Sequence, residues 1–315
     1  MPRKRQRHRD NPTSSDTDLQ RPILSIEDIP NSPSKWTTDY VNSLNIIYID
    51  GSSISDVIPI VDDLPSSIDS LFLPGWDRNR FITADSDDIR QINDRAVGTI
   101  IRKVQNIIAD ENALSFKEQN VDAFMLSLLV YTGFDEEPCL LTPQYSYDVT
   151  IRRHKMKSKV DFMVTSDNIH MVLIVEDKAG AGGSVHNSWH ETQLAGEVFL
   201  SALHAEQLSE YKRRKITYPF DIHIVRVIGT MFTFYKASIT REYLDECWQR
   251  LPSDNTSLVI TRFPQYTTDA GEVTFNAWDF SDEQDRKPIL QTLASLRLSW
   301  TAPSSRPTPR PRALP

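Results

Sequence analysis

The chain has 315 residues, 39% hydrophobic and 25% charged, enough to bury one large core or two small ones and too apolar for a wholly disordered chain. Its longest apolar run, Met171 to Val175, is far too short for a membrane helix, and two distant cysteines, Cys139 and Cys247, exclude a disulfide scaffold or a cysteine zinc site. The formal charge of −8 is uneven: setting aside eight basic residues and one acid in the two terminal fifteens leaves 27 basic and 42 acidic residues, net −15, which excludes indiscriminate coating by nucleic acid.

In chain order, residues 1–35 mix basic residues with Pro, Ser, Asp and Asn without periodicity and are expected to form a disordered tail. The run Pro-Arg-Lys-Arg-Gln-Arg-His-Arg within it reads as a nuclear-import signal or a phosphate-binding arm, with a plain solvated tail as the alternative. No apolar stretch follows it, so an intracellular protein, nuclear if the signal acts, is expected. Residues 36–87 hold short β-prone runs, Asn45–Ile49 and Val57–Val61, and turn residues around Leu73-Pro74-Gly75-Trp76; an irregular N-terminal extension is expected there. From Asp87 the apolar spacing becomes helical through Ile89, Ile92, Ala96, Ile100, Val104, Ile107 and Ile108, and a main domain is expected over 88–300. A second helix carries Val121, Phe124, Met125, Leu128 and Leu129 on one face and ends at Gly133.

Strands follow. Tyr145–Ile151 alternates, a basic turn spans Arg152–Lys159, and Val160–Val164 and Met171–Val175 flank the turn pair Asp167-Asn168 as a hairpin. A helix is expected from about Ser188 to Gln207, then strands at Ile222–Ile228, Met231–Tyr235 and Leu258–Thr261, with helices at Arg241–Leu251 and Asp282–Leu298. Residues 301–315 are Pro-rich and tail-like.

Chemistry concentrates in the hairpin. Asp161 begins one arm, and Glu176, Asp177 and Lys178 end the other. Side chains two apart share a strand face, so Glu176 and Lys178 project together while Asp177 points away. A turn midway between the arms sets Asp161 near Glu176. Two close carboxylates repel, and a hard divalent cation relieves that conflict while keeping waters for a phosphate ligand. A nearby ammonium can orient or deprotonate a water or stabilise charge on phosphate, which is the equipment of metal-assisted phosphodiester hydrolysis. The bland alternative is an exposed ion pair between Glu176 and Lys178.

Asp161 followed by Glu176-Asp177-Lys178, framed by aliphatic runs in the order helix, three strands, helix, strand, resembles the PD-(D/E)XK nuclease superfamily over residues 110–230. The resemblance implies an α/β fold with a restriction-endonuclease-like αβββαβ core, a mixed sheet flanked by helices. It also implies Mg²⁺ or Mn²⁺ as cofactor and nucleic acid, DNA by the same resemblance, as substrate. Asp161 and Glu176 then ligate metal, Glu118 (or more weakly Glu111) adds a helix carboxylate, Lys178 activates water, and Gln193 lies in the following helix. Glu197 stands where the RecB-like variant has Tyr, and Val160 where the motif has Pro. Fungal nuclease-like domains of the Crinkler and transposon-associated kind share the look of the Gln193 region and the final helix. The other reading is a nuclease fold without catalysis, acting as a nucleic-acid- or protein-binding module.

His186 and His190 sit four apart, but Leu194 replaces the second histidine of an HExxH zinc site. Arg152, Arg153, Lys155, Lys157, Lys159 and His190 are the expected nucleic-acid contacts, with solvated loops as the alternative. Lys212-Arg213-Arg214-Lys215 forms a second basic cluster.

Overall fold

The computed structural model describes residues 25–61, 64–115, 117–166, 170–176, 191–213, 215–269, 272–274 and 276–301, with Ser166, 170–176, 267–269, 272–274 and Thr301 described by backbone alone. β-Branched and aromatic runs make the strands β1 (Ile46–Asp50), β2 (Cys139–Ile151), β3 (His154–Ser166), β4 (His170–Glu176), β5 (Phe220–Ile228), β6 (Met231–Ile239), β7 (Leu258–Phe263), β8 (Thr267–Asp269), β9 (Glu272–Thr274) and β10 (Trp278–Asp279). The helices are α1 (Thr38–Ser43), α2 (Arg78–Thr83), α3 (Ser86–Arg90), α4 (Arg95–Asn112), α5 (Glu118–Tyr131), α6 (Glu191–Tyr211), α7 (Arg241–Gln249) and α8 (Glu283–Thr301).

Eight strands form one mixed sheet in the order β1-β7-β6-β5-β4-β3-β2, with β10 joining the start of β6; β8 and β9 pair separately. The pairs β1–β7 and β4–β5 are parallel, whereas β5–β6, β6–β7, β3–β4 and β2–β3 are antiparallel. The carboxyl ends of β1, β7, β5 and β4 therefore share one rim of the sheet. Helices cover both faces, giving an α/β architecture. One core joins α6, α1 and α7 to the sheet; the other joins α2 to α5 and α8 to its opposite face. No helix among the described residues is long and apolar enough to cross a membrane.

The N-terminal expectations need correction. Residues 25–35, expected within the tail, form two short 3-10 turns, Ile26–Asp28 and Pro33–Lys35. Ile26, Ile29 and Trp36 are buried against α6, and Asn31 accepts a hydrogen bond from the Lys157 amide at 2.8 Å. Gly196 makes this seat: a Cβ there would lie 2.9 Å from Pro33 and from the Trp36 ring. Three apolar residues scattered among polar ones leave no periodic signal, yet they dock. Residues 1–24 and 302–315, the basic head and most of the Pro-rich segment, lie outside the described residues.

Residues 36–87 supply an edge strand, since β1 pairs in register with β7 from Ile46↔Leu258 to Asp50↔Arg262. The loop at 72–76 is tied to α8 by Arg286, which is fully buried. Its guanidinium donates to the carbonyls of Phe280 (3.0 Å), Phe72 and Leu73 (3.2 Å each), Ser281 (3.4 Å) and Trp76. It lies against the rings of Phe81 and Phe280 as well. The helix expected to begin near Asp87 divides instead, because Asp85 caps α3 and Asp94 caps α4 through the amides of Ala96 and Val97.

Candidate nuclease site and its surroundings

The basic stretch expected to be a turn is mostly strand. Only Arg152 and Arg153 turn the chain, and Ile151 pairs with His154. From there β2 and β3 make a ribbon whose Tyr147, Val149, Ile151, Met156 and Val160 pack toward α6. Nearer the centre of the sheet the alternation reverses: Cys139 and Leu141 of β2, and Phe162 and Val164 of β3, belong to the other core. The reversal falls at one place. Gln144 has φ of 52° and the ladder skips from Pro143↔Phe162 to Tyr145↔Val160. Pro143 offers no amide and Gln144 sits in the left-handed region, so the ribbon rolls over there.

Asp161 occupies this point. It is half-buried, and the Gln144 Nε2 donates to its Oδ1 at 3.4 Å. β3 pairs with β4 from Phe162↔Ile174 outward, so Asp161 lies one residue before that pair and Glu176 two residues past it. Continuing the register sets Asp161 opposite Val175, with Glu176 one residue further along β4. Glu176 ends β4 beside Val227, a position on the α5 face of the sheet. Lys178 and His190 lie outside the described residues, as do Asp177 and His186.

α5 packs against β4. Glu118 is its first residue and is half-buried. One turn further, Asp122 has an Oδ1 shut off from solvent and without a hydrogen-bond partner. Sequence reading passed over Asp122, although its place four residues after Glu118 on the same helix side was visible. Glu111 is engaged elsewhere: it pairs with Arg78 and lies beside Gly229, where an added Cβ would collide with its Oε1. Among the described residues no three His, Cys, Asp or Glu side chains converge closely enough to hold a metal ion.

Gln193 lies on α6, across the sheet from Glu118, and its Nε2 donates to Glu197 Oε1 of the next turn at 2.9 Å. A buried polar ladder continues along that helix: Tyr147 bonds Ser201 at 2.5 Å and stacks on His204 at 4.5 Å between ring centroids. Burial, reinforced by Lys212, holds the His204 imidazole below its ordinary pKa.

The start of α6 is anchored by a cluster the sequence did not announce. The buried Glu191 carboxylate accepts both oxygens' worth of bonding from Arg262 Nη1 (3.1 and 3.0 Å) and a bond from the Tyr266 hydroxyl at 2.5 Å. Tyr48 OH donates to the Glu191 carbonyl at 2.6 Å, and Arg262 Nε reaches Asp50 at 2.5 Å. Burial opposes the charge on Arg262, yet Asp50 and Glu191 outweigh it and raise its pKa; burial together with Tyr235 and Glu191 pushes the Tyr266 phenol up. An acid at a helix N-terminus also meets the favourable end of the dipole. This cluster fixes α6 to β1, β6 and β7 on the rim where β4 ends. By contrast, a cavity of about 230 Å³ beside α8, walled by Ile54, Ile58, Leu64, Trp278 and Pro288, has no ionisable side chain among the described residues that line it.

No protein-family model matches the chain, and no curated protein matches it. Among solved structures, the crystal structure of SSO0001 is similar at 11% identity and a TM-score of 0.23, covering 69% of this chain and 87% of that one.

Proposed function

We propose that the chain is a metal-dependent nuclease of PD-(D/E)XK type, hydrolysing phosphodiester bonds in nucleic acid, DNA by resemblance. The observation that supports this reading is the register of β3 with β4, whose continuation brings the Asp161 and Glu176 positions within one residue of facing each other on adjacent strands. The order α5, β2, β3, β4, α6, β5 supports a restriction-endonuclease-like core. The donor type fits a hard cation: carboxylates come from two strands and from α5, where the Asp122 oxygen lacks a hydrogen-bond donor.

Asp161, Glu176 and Glu118 would hold Mg²⁺ or Mn²⁺. The ion, when bound, supplies Lewis acidity toward phosphate oxygen. Lys178 takes the role of orienting the attacking water, accepting its proton or neutralising charge as it grows on phosphate. Gln193 holds Glu197 in place along α6.

The test is cleavage of labelled DNA and RNA by the purified chain with Mg²⁺ or Mn²⁺, compared with Asp161→Ala and Lys178→Ala. Loss of cleavage of at least about 100-fold in both variants, at unchanged folding, supports the assignment. Equal cleavage by parent and variants would overturn it. Calorimetry showing no Mg²⁺ or Mn²⁺ binding, with nucleic-acid binding that survives EDTA, would favour a catalytically inactive binding module instead.

A further inference from the structure

The outer half of the β2–β3 ribbon has one face on α6 and one face open. The open face carries Lys155, Lys157 and Lys159 on β3 and, directly opposite them, Thr150, Asp148 and Ser146 on β2, all exposed. The side chains between these lysines point the other way and are buried: Met156, Ser158 and Val160. The three lysines therefore leave the strand on the same side, in a row anchored from beneath. Successive lysines are about 6.8 Å apart along the strand, two residues of antiparallel rise.

This row is under-compensated. Lys155 pairs with Asp148 at 2.9 Å, and that contact, with the charge of Lys157 directly opposite, holds the Asp148 carboxyl below its ordinary pKa, so one carboxylate faces three lysines. Lys157 and Lys159 make no ion pair among the described residues. Like charges repeated on one strand face repel one another, so the row is eased by a polyanion with regularly spaced charges. The flanking Thr150 hydroxyl adds a donor suited to phosphate oxygens, while the Ser146 hydroxyl donates to the Ser158 carbonyl at 3.3 Å. No apolar side chain stands on this face, which argues against a lipid surface. The row also points at the proposed centre, because Lys159 lies two residues before Asp161.

We infer that this open face is a phosphate track: Lys155, Lys157 and Lys159 seat successive phosphates of one polynucleotide strand and lead it, without reading bases, to Asp161. The inference rests on the nuclease reading for what happens at the end of the track, but the binding itself is separable from it.

Binding is measured by fluorescence anisotropy on a labelled oligothymidylate and a labelled duplex, from 50 to 300 mM salt, in EDTA. The proteins are the full chain carrying Asp161→Ala and the same chain with Lys157→Gln and Lys159→Gln added. Each phosphate contact contributes a salt slope of about 0.7–0.9, so the double change should lower the slope by about 1.4–1.8 and weaken binding roughly 40-fold at 0.1 M salt. Lys212→Gln with Lys215→Gln, a basic pair elsewhere on the surface, should leave the slope unchanged. Thermal melts of each variant check that the ribbon remains folded. An unchanged slope in the Lys157/Lys159 variant, or a parent chain that binds neither oligonucleotide, overturns the track. If the slope falls as stated while the unsubstituted chain cleaves nothing with Mg²⁺ or Mn²⁺, the track stands and the nuclease reading falls; if cleavage proceeds and the slope does not move, the reverse holds.

Discussion

Replacing Arg286 by Met separates the role of its charge from that of its volume. Met fills much of the same space but leaves five carbonyl acceptors, of Phe72, Leu73, Trp76, Phe280 and Ser281, without the guanidinium. Five charge-assisted bonds at about 1.5 kcal/mol each would total roughly 7 kcal/mol. Against that, Met spares the folded state the desolvation of a cation, several kcal/mol in a buried site. The balance is an expected loss of about 3–5 kcal/mol, comparable to removing one partner of a buried ion pair. For a domain of this size that is a fall in Tm of roughly 10 °C. Arg286→Lys keeps three donors at most and should fall between parent and Met. Calorimetry or urea unfolding gives the size of the effect, and limited proteolysis should place the first new cuts at residues 72–76, where Leu73 and Gly75 already hold positive φ. A Met variant melting within 2 °C of the parent would show that the carbonyls do not depend on Arg286, and the account of how residues 72–76 are held would be wrong.

His204 should make stability depend on pH. Its folded pKa lies below the ordinary value of 6.5, so the unfolded chain takes up the proton first as pH falls. Stability from this group is complete above about pH 7 and declines as pH drops through 6.5 toward the folded pKa. His204→Phe keeps a ring against Tyr147 and should flatten that decline between pH 7.5 and 5; parallel curves for parent and variant would refute the assignment. Asp122→Asn removes charge from the buried oxygen and should raise Tm in EDTA by roughly 2–4 °C, about 1 kcal/mol. The same change should reduce the rise in Tm produced by Mg²⁺; a full Mg²⁺ response in the variant would exclude this oxygen from the cation's surroundings.

Legibility in the sequence followed the strength of local signals. α5 was readable because Val121, Phe124, Met125, Leu128 and Leu129 repeat at helical spacing and Gly133 stops the helix. β3 was half readable: Val160–Val164 is a plain apolar run, but Lys155, Lys157 and Lys159 disguised the outer half as a basic turn. Period-two alternation with Met156 and Ser158 was present there, though polar residues outnumber apolar ones and hide it. β1 was visible as a β-prone run, but nothing local says that it joins β7, because that contact is non-local. The candidate site divides similarly. The strand positions of Asp161 and Glu176 could be read from apolar runs and turn spacing, whereas the Glu191–Arg262–Tyr266 cluster draws on three distant segments. Asp122 needed the burial of one oxygen atom to be noticed.

The pairing of β1 with β7 has a consequence for how the chain is made. Asn45, just before β1, bonds to the Thr256 carbonyl across a separation of 211 residues. At ribosomal rates of about 5–20 residues per second, β1 leaves the exit tunnel roughly 10–40 s before its partner exists. During that wait the Ile46-Ile47-Tyr48-Ile49 segment is an unguarded β-edge on a nascent chain, and until α6 is made Trp36 has no helix to rest on. Newborn chains thus present a sticky segment until β7 has been synthesised, and holding it apart falls to chaperones rather than to the fold.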